Sequence, residues 1–172
     1  MAQALAAVAP SSSSPTALPA SQSGHLQHLQ PPGLYDAAPN GYTHVVRVES
    51  PLRWVFVSGQ GGENMAAELP DDFAAQAHQA LANVQTALHA AHADMADVAK
   101  LTVLIVDHSL ERFHLWQQAL RRYWGEAHQP PLPFPACTLI PVPKLALPGM
   151  LIEVEATAAL SMAMDAKAAI AA

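Results

Sequence analysis

Between residues 70 and 125 the chain reads as two amphipathic helices around one almost wholly apolar strand. Phe73, Ala77, Leu81, Val84 and Leu88 recur every three or four positions, while Gln, His and Asn fill the other side. That spacing predicts a helix from Pro70-Asp71-Asp72 to about His92, with the Gln/His/Asn face solvated and acidic residues in the first turn, where the helix dipole favours them. Val98 to Val106 is nearly continuous Val, Leu and Ile, interrupted by Lys100 and Thr102. Such a run predicts a central strand covered on both faces. Ser109 then caps a second helix whose stripe is Leu110, Phe113, Trp116, Leu120 and Trp124, with Gly125 near its end.

Four further β-rich runs flank this unit. Tyr42 to Glu49 and Trp54 to Ser58 predict two strands joined into a hairpin by Ser-Pro-Leu-Arg, and Gly59 to Leu69 is a Gly-rich loop. Ala136 to Val142 and Met150 to Thr157 predict two more, separated by the proline-punctuated loop Pro143 to Gly149. The order β-β-α-β-α-β-β specifies an α+β fold, a mixed sheet with both helices on one face. The other face is too apolar to stay in water, and oligomerisation is the simplest cover. Glu153 and Glu155 are two apart in an otherwise apolar strand, so both carboxylates leave the same face, roughly 6 to 7 Å apart.

Composition narrows the picture. The chain has 172 residues, of which 51% are hydrophobic and 13% charged, enough core formers for one ordinary domain. Residues 1–30 are Ala-, Ser-, Pro- and Gln/His-rich without apolar period and read as a disordered tail; residues 160–172 read as an Ala-rich C-terminal tail. The start carries no Lys or Arg before Arg47 and is broken by Pro10, so a signal peptide is not expected, nor is a membrane span. Cys137 is the only cysteine, which excludes an intrachain disulfide and a thiolate metal cluster and suits a reducing cytoplasm. A net charge of −6 argues against nucleic acid, whose phosphates need clustered cations; Arg121-Arg122 reads as a solvated face.

Candidate chemistry is sparse on the residues alone. Ser58-Gly59-Gln60-Gly61-Gly62 lacks the spacing of a phosphate loop, and its backbone N–H groups suit a cleft wall instead. His89 and His92 have ligand spacing on a helix but no second half-site, so no metal is expected. Cys137 reads as a buried small residue before it reads as a nucleophile.

Placed together, the pieces acquire an order: Gly33-Leu34-Tyr35, Val57-Ser58-Gly59-Gln60, Gln76 with Leu81-Ala82-Asn83, Asp97 to Val103, Pro135-Ala136 and Ile152-Glu153-Val154-Glu155-Ala156. In that order and spacing, residues 31–159 resemble the RidA/YjgF family. The resemblance implies a chorismate-mutase-like α+β fold assembled as a homotrimer, with the sheets forming a central barrel and three clefts between subunits. It implies hydrolysis of reactive enamines and imines to a carbonyl compound, such as a 2-oxo acid, and ammonia, with no metal or organic cofactor. Glu153 matches the glutamate that positions water, and Tyr35, Ser58 and Gly59 match the cleft walls. The family's carboxylate-gripping arginine is here Cys137, followed by Thr138 and Leu139 in the same binding segment. Hydrogen bonds to charged groups are worth about 1.5 to 3 kcal/mol each, so the loss should cost roughly 10- to 10⁴-fold in kcat/KM for a small imino acid. Three outcomes stand open: another cation (Lys144, Arg53 or Arg47) takes over; the substrate is a larger or neutral C=N compound; or the trimer has become a metabolite- or partner-binding module.

Overall fold

The computed structural model describes residues 25–49, 52–126 and 128–161. The strands are β1 (Leu26–Leu29), β2 (Val45–Val48), β3 (Leu52–Gln60), β4 (Val98–Val106), β5 (Ala136–Val142) and β6 (Ile152–Ser161), and the helices are α1 (Phe73–Ala90) and α2 (Leu110–Arg121). The main sheet has the order β3-β6-β4-β5, antiparallel except for the parallel β4–β5 pair. The chain crosses between those parallel strands through α2, as parallel neighbours require.

Alternation along the strands decides what is buried. Leu101, Val103 and Ile105 of β4 lie beside Ile152, Val154 and Ala156 of β6, all within one core that also holds Ala77, Ala80, Leu81, Val84 and Leu88 of α1 and Trp116, Ala119 and Leu120 of α2. Both helices therefore cover one face, giving the α+β layer pair read from the sequence. Asp72 caps α1 by accepting from Ala75 N at 2.8 Å, and Ser109 caps α2 by accepting from Arg112 N. Leu110, in the first turn of α2, stays exposed. Beyond Arg121 the helix loosens into a π turn, Arg122–Glu126, that keeps Trp124 in the core.

Three expectations need correcting. First, β2 does not form a hairpin with β3: it pairs antiparallel with β1, while β3 pairs along its length with β6. The small side chains of Ala99 and Ala159 open the outer face of the sheet, and Leu26, Val46 and Val48 fill that space. Second, β1 lies within the stretch assigned to the tail, and β6 extends to Ser161; residues 1–24 and 162–172 fall outside the described residues. Third, β4 is central, yet its outer side chains Lys100, Thr102 and Leu104 are half-buried, not covered. Past the ribbon that outer face is open, with Phe56 77% and Trp54 48% exposed.

Candidate functional site

The register gathers one group of residues on the outer face where β3 meets β6. Pairing slips between Val57 and Gln60, so Ser58 and Gly59 form a bulge, a device that re-aims side chains. Glu153, opposite Leu104 on β4, carries its side chain across Gly59, and a Cβ there would collide with the carboxylate. Glycine here leaves room for the Glu153 side chain, which any larger residue would displace. Gln60 Nε2 donates to the Ser58 and Gly59 carbonyls at 3.0 and 3.3 Å. Glu155 lies opposite Thr102 and is more exposed.

Two polar residues of α1 hold the surrounding loops. Gln76 is fully buried; its Nε2 donates to Pro70 O at 2.7 Å and Gly149 O at 2.9 Å, and its Oε1 accepts from Leu151 N at 2.8 Å. Asn83 Nδ2 donates to Gly61 O and Glu63 O at 3.0 and 2.8 Å. These bonds tie the Gly-rich loop and the β5–β6 loop together beside Glu153. The expectation of a solvated Gln/His/Asn face is wrong for Gln76, because loop carbonyls, not water, satisfy its amide.

A second group assembles at the β5 edge. Tyr35, Tyr42 and His44 stand edge to face, with ring centroids 5.1 to 6.4 Å apart. The two tyrosine hydroxyls are hydrogen-bonded, and His44 Nε2 meets the Tyr35 carbonyl at 2.8 Å. Thr43 N donates to Pro135 O at 3.1 Å, fastening this segment to the start of β5. Burial, the Tyr35 hydroxyl and the nearby Cys137 push Tyr42 up to about 12. Cys137 lies opposite Leu101 and packs against the core. Burial pushes its thiol up to about 11, against the pull of Lys100. Thr138, opposite Thr102, accepts a hydrogen bond from Lys100 Nζ, while Leu139 packs against the core.

One chain does not bring the two groups together. Cys137 and Glu153 are separated laterally by β4 and along it by the step from Leu101 to Leu104, which places their Cα atoms roughly 14 Å apart and on opposite faces. Arg53 is opposite Leu160, roughly 23 Å along β6 from Glu153. There it helps hold down the Asp97 carboxyl, which burial pushes up. Lys144 is exposed in the β5–β6 loop. Arg47 belongs to the ribbon, paired with Glu49 at 3.0 Å. Sequence reasoning did not single out Tyr42, His44 or Lys100, which the structure brings beside Tyr35 and Thr138; the available signal was Lys100, the one charge in an apolar strand. Among the described residues no three His, Cys, Asp or Glu side chains converge as a metal would require, and no helix is long and apolar enough to cross a membrane.

Comparison with known proteins places the arrangement. The family model described as Endoribonuclease L-PSP matches residues 35–160. No curated protein matches the chain. Among solved structures, the Rid-family protein YyfB of Yersinia pestis, of unknown function, is 34% identical, with a TM-score of 0.71 over 79% of this chain and 99% of its own. Escherichia coli TdcF, solved with bound serine, is 30% identical, with a TM-score of 0.55 over 61% of this chain and 79% of its own. The YjgF gene product of E. coli is 33% identical, with a TM-score of 0.52 over the same shares. The bulge under Glu153, the two helices on one face of a mixed sheet and these matches lead to one conclusion: the chain belongs to the RidA/YjgF family.

Proposed function

We propose that this protein hydrolyses a reactive imine or enamine to a carbonyl compound and ammonia, in the cytoplasm, with an altered dependence on the substrate carboxylate. The observation that carries the reading is the Glu153 carboxylate drawn across Gly59 in the β3 bulge. In the reaction, Glu153 accepts a proton from water as the oxygen attacks the C=N carbon. The nitrogen takes up a proton, and the resulting carbinolamine collapses with the C–N bond breaking and the C=O bond forming. The balance is imine plus water to carbonyl plus ammonia, with no change of oxidation state. A cleft between copies of a homotrimer joins the Glu153, Ser58 and Gly59 group of one copy to the Tyr35, Cys137 and Thr138 group of another. An RNA substrate, suggested by the family model's description, suits the chain poorly, because its net charge is −6 and RNA binding draws on clustered cations.

The test generates imines in situ with an amino-acid oxidase and follows 2-oxo acid release. The parent should exceed the buffer rate, and Glu153→Gln should lose about 10²-fold or more, as for a removed general base. Cys137→Arg should raise kcat/KM for small imino acids by about tenfold or more. A parent rate equal to buffer across a broad panel of amino acids, unchanged in Glu153→Gln, would overturn the proposal in favour of a metabolite- or partner-binding module.

A further inference from the structure

The ribbon of β1 and β2 is a two-stranded sheet of its own, apart from the ladder of the main sheet, and two histidines tie it down at opposite ends. His25 Nε2 donates to the carbonyl of Ala159 on β6. His28, 7% exposed, donates from Nδ1 to Phe134 O at 3.0 Å; a carbonyl only accepts, so Nδ1 carries the proton of the neutral ring. The next carbonyl along, Pro135 O, accepts from Thr43 N at 3.1 Å. Consecutive carbonyls just before β5 therefore hold β1 through His28 and the Tyr42 to His44 corner through Thr43. The charges at the two ends differ. Asp97, with Arg53 nearby, lies close enough to His25 to interact with it, so a charge on that ring has a counter-ion and the bond to Ala159 survives it. Among the described residues no carboxylate is paired with His28. Arg47 and Glu49 of β2 are exposed and paired with each other at 3.0 Å, His44 is turned to the Tyr35 carbonyl, and Lys100 of β4 to the Thr138 hydroxyl. Burial holds the titration of His28 below the ordinary 6.5, with the Phe134 carbonyl opposing.

We propose that the ribbon is a pH-dependent flap at the β5 edge: a proton on His28 releases its β5 end, and with it Thr43 and the Tyr42 to His44 corner, while the His25 end stays fastened. A second proton puts a full charge in a buried position, a cost escaped when the ring swings into water. Because His28 titrates lower in the closed ribbon than in water, the open state binds more protons. Closure is fully favoured above about pH 6.5 and weakens as the pH falls from there toward the folded value. A sheet of two short strands with so few ties to its neighbours opens at less cost than the main sheet. As a regulator of the site the flap rests on the hydrolase reading; its opening does not.

Hydrogen exchange on the full chain, read by mass spectrometry as protection factors of 26–29 and 45–48 against those of β4, tests this. From about pH 7.5 to about pH 5 the ribbon's protection should fall at least about threefold while that of β4 holds. His28→Asn puts an amide nitrogen in the place of Nδ1, keeps a donor for Phe134 O and takes up no proton, so its ribbon should be equally protected at both pH values. Equal protection at both in the parent, or a His28→Asn ribbon that opens as the parent's does, overturns the flap. If circular dichroism shows that His28→Asn does not fold, the ring-proton resonances of His28 in the parent decide: ribbon opening that tracks their titration supports the flap, and opening that does not overturns it. Imine hydrolysis lost with the ribbon in the parent and retained at the lower pH in His28→Asn supports the regulatory role. A ribbon that opens while hydrolysis continues undiminished overturns that role alone, and one that opens in a chain hydrolysing no imine at any pH overturns the hydrolase reading alone.

Discussion

At neutral pH the Cys137 thiol keeps its proton, because burial lifts its titration to about 11 and Lys100 opposes this only in part. A protonated, buried thiol is a poor nucleophile, so the part Cys137 plays within this chain is packing against the core. The shift has a consequence for stability. In the unfolded chain the thiol titrates near 9.0, so between that value and the folded one the native state binds more protons, and stability falls as pH rises. Urea midpoints measured from about pH 8.5 to about pH 10.5 should decline more steeply for the parent than for Cys137→Ala. Parallel declines would show that another group is responsible. At this scale the period-2 alternation of a strand was enough to put Glu153 and Glu155 on one face. It could not reveal that Glu153 lies over a bulge, because the bulge arises from the pairing of β3 with a strand nearly a hundred residues away.

Elements here are held together by buried amides as well as apolar contacts. Gln76 spans three segments, bonding to Pro70 before α1, to Gly149 in the β5–β6 loop and to Leu151 beside β6. Replacing it with Ala leaves those backbone groups without the amide, and each buried unsatisfied group costs about 1 to 3 kcal/mol. Gln76→Ala should therefore lower unfolding free energy by about 2 to 5 kcal/mol in urea titrations. A loss under about 1 kcal/mol would mean that water replaces the amide without penalty. The main helices and strands were legible because each carries its own period: α1 and β4 follow directly from the spacing of Leu, Val and Ile. The ribbon was not. A four-residue strand such as Leu26–Leu29 has too little pattern to distinguish it from a tail, and its stabilising contacts with Ala99 and Ala159 come from distant parts of the chain.

For the molecule as a whole, the outer face of the sheet is the unfinished surface. Phe56, Trp54 and Ile140 are exposed there at 77%, 48% and 40%, on the face that also carries Glu153, Lys100 and Thr138. Burying such a patch between copies is favourable by about 25 cal/mol per Å² of apolar area. Sedimentation should thus find the parent as a trimer, and Phe56→Asp, which places a charge in the contact, should shift it toward monomer and lose imine hydrolysis with it. A monomeric parent, or a trimer indifferent to the substitution, would move the contact elsewhere. The two-stranded ribbon bears on the same surface from the other end. It closes part of the sheet with residues from upstream of Gly33, and His28, buried and hydrogen-bonded at 3.0 Å to the Phe134 carbonyl, anchors it next to β5. A gene trimmed to begin at residue 31, where the family-like motifs start, would strip β1 from the sheet, leave β2 without its neighbour and open Ala99 and Ala159 to water. The folded sheet therefore includes β1, from Leu26 onward.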